Sequence, residues 1–234
     1  MTPPLSLSAL DEQLARTRIA QAVWSRLPVR RRLAPVQAFR HLLVGECDRL
    51  CAAVARDVGK PAEETLACEV LPLADACRFV ERRAARLLHP RRRRLRPLWL
   101  WGERDTVYRR PRGVVGIIGT WNYPLYLNGV QMVQALTAGN AVLWKPSEAA
   151  PASAAALHAL LLRAGFPPEL CPMLDATREA GQALTDAAVN HVIFTGSAAT
   201  GRVLARKLGE RLISSTLELS GCDALFVLED ADVS

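Results

Sequence analysis

The stretch GVVGIIGTWNYPLYLNGVQMVQALTAGNAVLWK, residues 113–145, decides how the rest of the chain is read. GVVGIIG carries no charge and is rich in β-branched residues, the composition of a strand buried on both faces. After a turn at GTWNYP, residues 125–138 read as a helix. AVLWK, 141–145, is then a second buried strand.

The same alternation runs to the end of the chain. A helix is expected from about Ala152 to Arg163, with further helices near Glu179–Ala188 and Ala198–Leu208. LCPMLD, HVIFTG, STLELSG and ALFVLED are strand candidates between and after them. Short apolar strands alternating with helices predict an α/β fold, a Rossmann-like parallel sheet with helices on both faces. In such sheets ligands bind where each strand turns into its helix, at the carboxyl ends.

Upstream, the first ninety residues read as helices. Val36, Phe39, Leu43, Cys47, Leu50 and Val54 are three or four apart, one face of a helix. Leu66, Val70, Leu73, Cys77, Val80 and Ala84 repeat that spacing after the breaker GKP at 59–61. A shorter amphipathic segment, about Ala9 to Leu27, precedes both. LWLWGERDTVYRR, 98–110, sets two aromatic and β-branched runs around a Gly-containing polar turn, which predicts a hairpin. Its large apolar side chains call for something to pack on, such as another subunit. The chain thus divides into a helical part (1–96), a hairpin arm (97–112) and a sheet-containing part (113–234).

Composition narrows the function. The 234 residues suffice for one large domain, and no apolar run approaches the roughly eighteen that cross a bilayer. MTPPLSLSALDEQLARTR has no basic stretch followed by an apolar core, so no secretory signal is read and a cytoplasmic location is expected. The net charge of +7 comes almost wholly from arginine, because Lys60, Lys145 and Lys207 are the only lysines. HPRRRRLRP, 89–97, reads as a solvated helix end and linker rather than a nucleic-acid surface, since no aromatic interleaving accompanies it. The six cysteines form no C-x-x-C pair and the four histidines are scattered, so no metal site is expected. Cys47 and Cys77 fall on the apolar stripes, where a thiol is a small hydrophobe.

Four turns carry the candidate chemistry. In GTWNYP, Asn122 offers a side-chain amide to an oxyanion, or is a turn residue held rigid by Pro124. In WKPSE, Lys145 and Glu148 suit the hydroxyls of a ribose, or Ser147 caps a helix beside exposed charges. In FTGSAATG, Gly196, Ser197 and Gly201 suit a pyrophosphate at a helix N-terminus, or an ordinary capped helix start. In LELSGCDA, 217–224, Glu218 is a general base or one half of a salt bridge. Cys222 follows it by four residues, which raises the question of a base and its nucleophile.

Taken together and in order, GTWNYP, KPSE, FTGS with Gly201, and LELSG resemble the NAD(P)-dependent aldehyde dehydrogenase superfamily. With the hairpin in front, the spacing looks most like its class 3 and coniferyl aldehyde branches. The resemblance covers about residues 30 to 234. It implies oxidation of an aldehyde to a carboxylic acid through a thioester, with NAD or NADP as cofactor. Asn122 would be the oxyanion donor and Glu218 the base that activates water. Lys145 and Glu148 would hold the adenosine ribose, and Gly196, Ser197 and Gly201 would border the pyrophosphate. Thr120, Trp121, Thr195 and Leu219, which flank these residues, would also line the cofactor, Leu219 beside the nicotinamide. The 98–110 arm would serve assembly into a homodimer. Family members carry their nucleophilic cysteine well beyond the glutamate motif, and Cys222 stands where most have lysine. Cys222 is therefore expected to start the next strand, facing away from Glu218, and the chain to lack both the nucleophile and the rest of the catalytic domain. An acyl-CoA or acyl-phosphate reductase of the same superfamily is the alternative, against which Glu218 argues. A nucleotide-binding fragment without turnover is another.

Overall fold

In the computed structural model, which describes residues 7–92, 99, 102–221 and 224–232, the N-terminal part is helical as read. It comprises α1 Leu7–Arg26, α2 Val29–Gly45, α3 Cys47–Val58 and α4 Ala62–Thr65. A π-helical turn at Leu66–Val70 then leads into α5 Leu71–Leu88. The apolar series from Val36 to Val54 falls on two helices instead of one. The chain breaks at Glu46, directly after Gly45, a poor helix former. In the second series Val70, Leu73, Cys77, Val80 and Ala84 are buried, whereas Leu66 is exposed. A π turn adds a residue to the helical repeat, which puts Leu66 out of phase with the stripe that follows.

The arm differs from expectation. β1 Arg91–Arg92 pairs antiparallel with β2 Thr106–Val107, so the first strand of the ribbon lies in the arginine run. A ladder is built from backbone groups, and exposed arginines can supply them while their side chains stay in water. Residues 93–98 and 100–101, which hold most of the first run of the expected hairpin, lie outside the described residues.

From here strand and helix alternate: β3 Val114–Ile118, α6 Tyr126–Thr137, β4 Ala141–Lys145 and α7 Pro151–Arg163. After a 3₁₀ turn at Pro168–Leu170 come α8 Arg178–Asp186, β5 His191–Gly196, α9 Ala198–Glu210 and β6 Ser214–Leu219. The four strands β3 to β6 form a parallel sheet in the order β4-β3-β5-β6. Two strand candidates are corrected. LCPMLD contributes only a bridge from Met173 to Trp144, flanked by Trp144 N–H to Pro172 O and Leu174 N–H to Trp144 O. Residues 224–230 form no strand, and Leu225, Phe226, Val227 and Leu228 are exposed. An apolar run becomes a strand only where an edge takes up its N–H and C=O groups, and this one pairs with no strand among the described residues. Cys222 lies outside the described residues.

Helices α6 and α8 pack on β3 and β4, and α9 packs on β5 and β6. One apolar core joins α1, α2, α3 and α5 to the sheet and to α7. The Trp24 indole N–H, for example, donates to the Leu136 carbonyl at 2.7 Å. No helix among the described residues is long and apolar enough to cross a membrane.

Candidate active site

Because the strands are parallel and in step, their carboxyl ends arrive at one edge. Ile118 lies level with Lys145 on one side and Phe194 on the other, and Gly196 lies level with Leu219. A crevice of about 1090 Å³ opens there, between α6 and the face of β5–β6 opposite α9. Thr120, Trp121 and Asn122 reach it from the turn after β3, and Thr195, Gly196 and Ser197 from the end of β5. Glu218 and Leu219 reach it from β6. Lys145, Glu148 and Gly201 do not line it.

The turn after β3 is clamped from below. Asn128, buried on α6, accepts a hydrogen bond from Thr120 N–H at 3.2 Å and donates to Thr120 O at 3.2 Å and Pro124 O at 2.8 Å. Gly119 makes room for this, since a Cβ there would stand 2.7 Å from Asn128 Oδ1. Within the turn the Thr120 hydroxyl donates to Asn122 Oδ1 at 2.7 Å. That bond takes up the acceptor end of the exposed Asn122 amide and leaves its NH₂ as the free end. Reading the sequence missed Asn128, whose only signal is a polar residue inside the apolar helix start PLYLNGV.

At the end of β5, Ser197 caps α9 as read, its Oγ accepting from Thr200 N–H at 3.2 Å. The helix N-terminus, with its unpaired N–H groups and positive dipole end, therefore meets the crevice at Ser197. Gly201 is buried under β6, and a Cβ there would stand 2.4 Å from Leu219 Cδ2. It sets how closely α9 approaches the residue that borders the site. Glu218 is exposed on β6 and has no ion-pair partner among the described residues, so the salt-bridge alternative is not what the fold contains.

Lys145 is different. It is buried at the end of β4, and its Nζ bonds Glu148 Oε1 at 2.7 Å. Its stem runs past Gly181 of α8. Partial burial pushes the Glu148 carboxyl up, but the Lys145 hydrogen bond, a backbone N–H and the Lys145 and Arg178 charges outweigh it. The group sits below the ordinary carboxylate range. Ser147 does not cap the following helix. Asp57 of α3 does so from outside, accepting from Ala152 N–H at 3.2 Å and from Ser153 N–H and Oγ–H at 2.7 Å.

At the amino ends of the strands the crevice floor holds His191, between Ser214 Oγ at 2.8 Å and Thr216 Oγ1 at 3.1 Å. Burial and the Arg112 charge hold its pKa below the ordinary histidine value. No described cysteine lines the crevice. Burial pushes the Cys77 and Cys171 thiols up to about 12 and raises Cys51 as well, the opposite of an activated thiolate.

The model of the Aldehyde dehydrogenase family matches residues 4–234. The 4,4'-diapolycopene aldehyde oxidase of Methylomonas sp is 34% identical over 231 residues, 98% of this chain and 44% of its own length. A Mycobacterium bovis protein, named provisionally as a succinate-semialdehyde dehydrogenase [NADP(+)], is 35% identical over 234 residues, again 44% of its length. Among solved structures, a Mycobacterium tuberculosis aldehyde dehydrogenase complexed with NAD+ superposes with a TM-score of 0.85 at 30% identity. The superposition covers 99% of this chain and 48% of that one. The chain spans less than half the length of the curated relatives it matches.

Proposed function

The chain belongs to the aldehyde dehydrogenase family, and from that premise we propose that it is the cofactor-binding half of an enzyme that oxidises an aldehyde to a carboxylic acid through a thioester. The observation that carries this reading is the crevice itself. An amide NH₂ left free by Thr120 and a carboxylate without an ion-pair partner among the described residues both line it, with the N-terminus of α9 at its rim.

The residues fit NAD or NADP. The capped start of α9 offers backbone N–H groups and a positive dipole end to a pyrophosphate. Thr120, Trp121, Thr195, Gly196 and Ser197 line its approach, and Leu219 borders the end toward Glu218. Lys145 lies two strands across and two residues back from Gly196, roughly 12 Å at the usual strand dimensions, a distance a nucleoside diphosphate can bridge. With Lys145 held by Glu148, the pair presents an oriented cation and acceptor to ribose hydroxyls. The cofactor, when bound, supplies the hydride acceptor.

The protein's own groups divide the remaining work. Asn122 donates its NH₂ to the carbonyl oxygen as negative charge builds on it. Glu218 takes a proton from the water that attacks the thioester, which an exposed, unpaired carboxylate is free to do. In this reading the thiolate nucleophile comes from outside these 234 residues: no described cysteine lines the crevice, and Cys222, which lies outside the described residues, stands where the family resemblance puts a lysine. In this reading the assembled enzyme is a cytoplasmic homodimer that uses the β1–β2 ribbon as its arm, where Val107 and Tyr108 are exposed.

The test is aldehyde-dependent NADH or NADPH formation by the protein expressed from its native reading frame, with whatever follows Ser234 included. Glu218→Gln should give a burst of reduced cofactor and then almost no turnover. Asn122→Ala should slow the burst about a hundred- to a thousandfold. Steady turnover by Glu218→Gln would remove the general base and with it the hydrolytic reading.

A further inference from the structure

Lys60 stands in the breaker GKP and Glu69 in the π-helical turn, and neither lines the crevice. They form an ion pair out of water, Nζ to Oε1 at 2.8 Å, with side chains 9% and 0% exposed. Burying two charges is costly, and an apolar pair of similar size would join the same elements as well. Their other bonds are more informative.

Lys60 Nζ also donates to the backbone carbonyl of Asn122 at 2.8 Å and lies 3.8 Å above the Tyr123 ring. The second oxygen of Glu69 accepts from Leu125 N–H at 2.8 Å and from Tyr126 N–H at 3.4 Å. One ion pair thus grips the backbone on both sides of Pro124, and Glu69 satisfies first-turn N–H groups of α6 as a cap reaching in from another helix. The main-chain carbonyl of Asn122 is tied to Lys60 and its side-chain carbonyl to Thr120. Only the NH₂ remains to face the crevice.

We infer that Lys60 and Glu69 are positioning residues for Asn122, holding the backbone of the oxyanion donor so that its amide NH₂ points into the crevice. This rests on the reading of Asn122 proposed above. The Lys60 ammonium has a compact charge that can serve the Glu69 carboxylate, the Asn122 carbonyl and the Tyr123 ring at once. The π turn puts Glu69 on the inner side of its helix, where it can reach α6.

The test uses the 234-residue chain and nuclear magnetic resonance. In Lys60→Met, exchange of the Leu125 and Tyr126 amides should quicken about ten- to a hundredfold, as expected when a hydrogen bond to a charged group is disturbed. The Asn122 side-chain NH₂ should fall below an order parameter of about 0.6, the flexible range. The β3 amides should stay as they were, and Lys60→Arg should restore much of the order. Should Lys60→Met not fold, Glu69→Gln carries the same readouts with an isosteric side chain. A lower melting temperature with an unchanged Asn122 NH₂ would make the pair merely structural and overturn the inference. In the active enzyme Lys60→Met should lower kcat and leave KM nearly unchanged, the split expected of a misplaced transition-state donor. If Asn122→Ala instead left the burst untouched, the oxyanion reading would fall while the loop measurement still decided what Lys60 and Glu69 hold.

Discussion

The two edge strands of the sheet, β4 and β6, stand in opposite conditions. All of β4, AVLWK, is buried; helices cover it and residues 172–174 close its outer edge. β6, SSTLEL, has no fully buried residue, and no strand among the described residues pairs with its outer edge. One face of β6 lies under α9 and the other borders the crevice. Each strand carries a charged group at its carboxyl end, Lys145 last in β4 and Glu218 next to last in β6, and the surroundings decide what that group can do. Lys145 is enclosed and is neutralised by Glu148, whereas Glu218 is open to water and has no ion-pair partner among the described residues. Burial is concentrated at the closed edge, and solvent access at the open one.

This contrast can be broken by experiment, most sharply through the core. Trp144→Ala on β4 should cost about 3–5 kcal/mol, the range for emptying a packed aromatic site. Leu217→Ala on half-buried β6 should cost well under half of that, and urea unfolding of both variants measures the difference. Equal costs would mean that β6 is as firmly built as β4.

Next comes the turn between the two regions. Asn128→Ala removes one acceptor and two donors from a buried position and should destabilise by about 2–3 kcal/mol, since each orphaned partner carries a desolvation penalty. It should also speed exchange at Thr120 N–H, whereas a loss of stability without that local change would deny Asn128 its clamping role.

The pH dependence draws the comparison in another way. His158, beside Trp144 on the closed side, and His191, in the crevice floor, both have folded pKa values below the ordinary 6.5, chiefly through burial. The unfolded chain therefore takes up protons first. The stability they contribute is present above 6.5 and drains away as the pH falls below it. His191→Gln should flatten the fall in melting temperature between about pH 7 and 5, and an unchanged slope would place the effect elsewhere.

The smallest effect is expected at Glu218, the proposed base. Glu218→Gln should alter stability by no more than about 0.5 kcal/mol, as for other exposed positions free of partners. A large loss in thermal unfolding would show that Glu218 holds the fold and is not held ready for chemistry.

The sites where sequence reading succeeded and failed follow the same physics. β3 to β6 and their helices were legible because burial imposes period and composition on a continuous run. The four turns were legible because each directly follows such a run. Asp57 was not: it caps α7 from about a hundred residues away, and nothing local marks it. Glu69 was hidden likewise, since the N–H groups it satisfies are more than fifty residues further on. Leu225 to Leu228 have the apolar composition of a strand, yet composition cannot supply the neighbouring edge a strand requires.

By itself, then, the order of apolar runs and turn residues determined a parallel sheet and the edge at which Asn122, Gly196 and Glu218 would gather. Those choices depend on local propensity and on which side chains leave water. Tertiary structure alone decided which end groups stay free. Lys145 is enclosed while Glu218 is exposed, and Asn122 is bound at both carbonyls with its NH₂ left over. A hydrogen bond or ion pair needs its partner within about 3 Å, and which distant residue comes that close is settled only when the chain has packed.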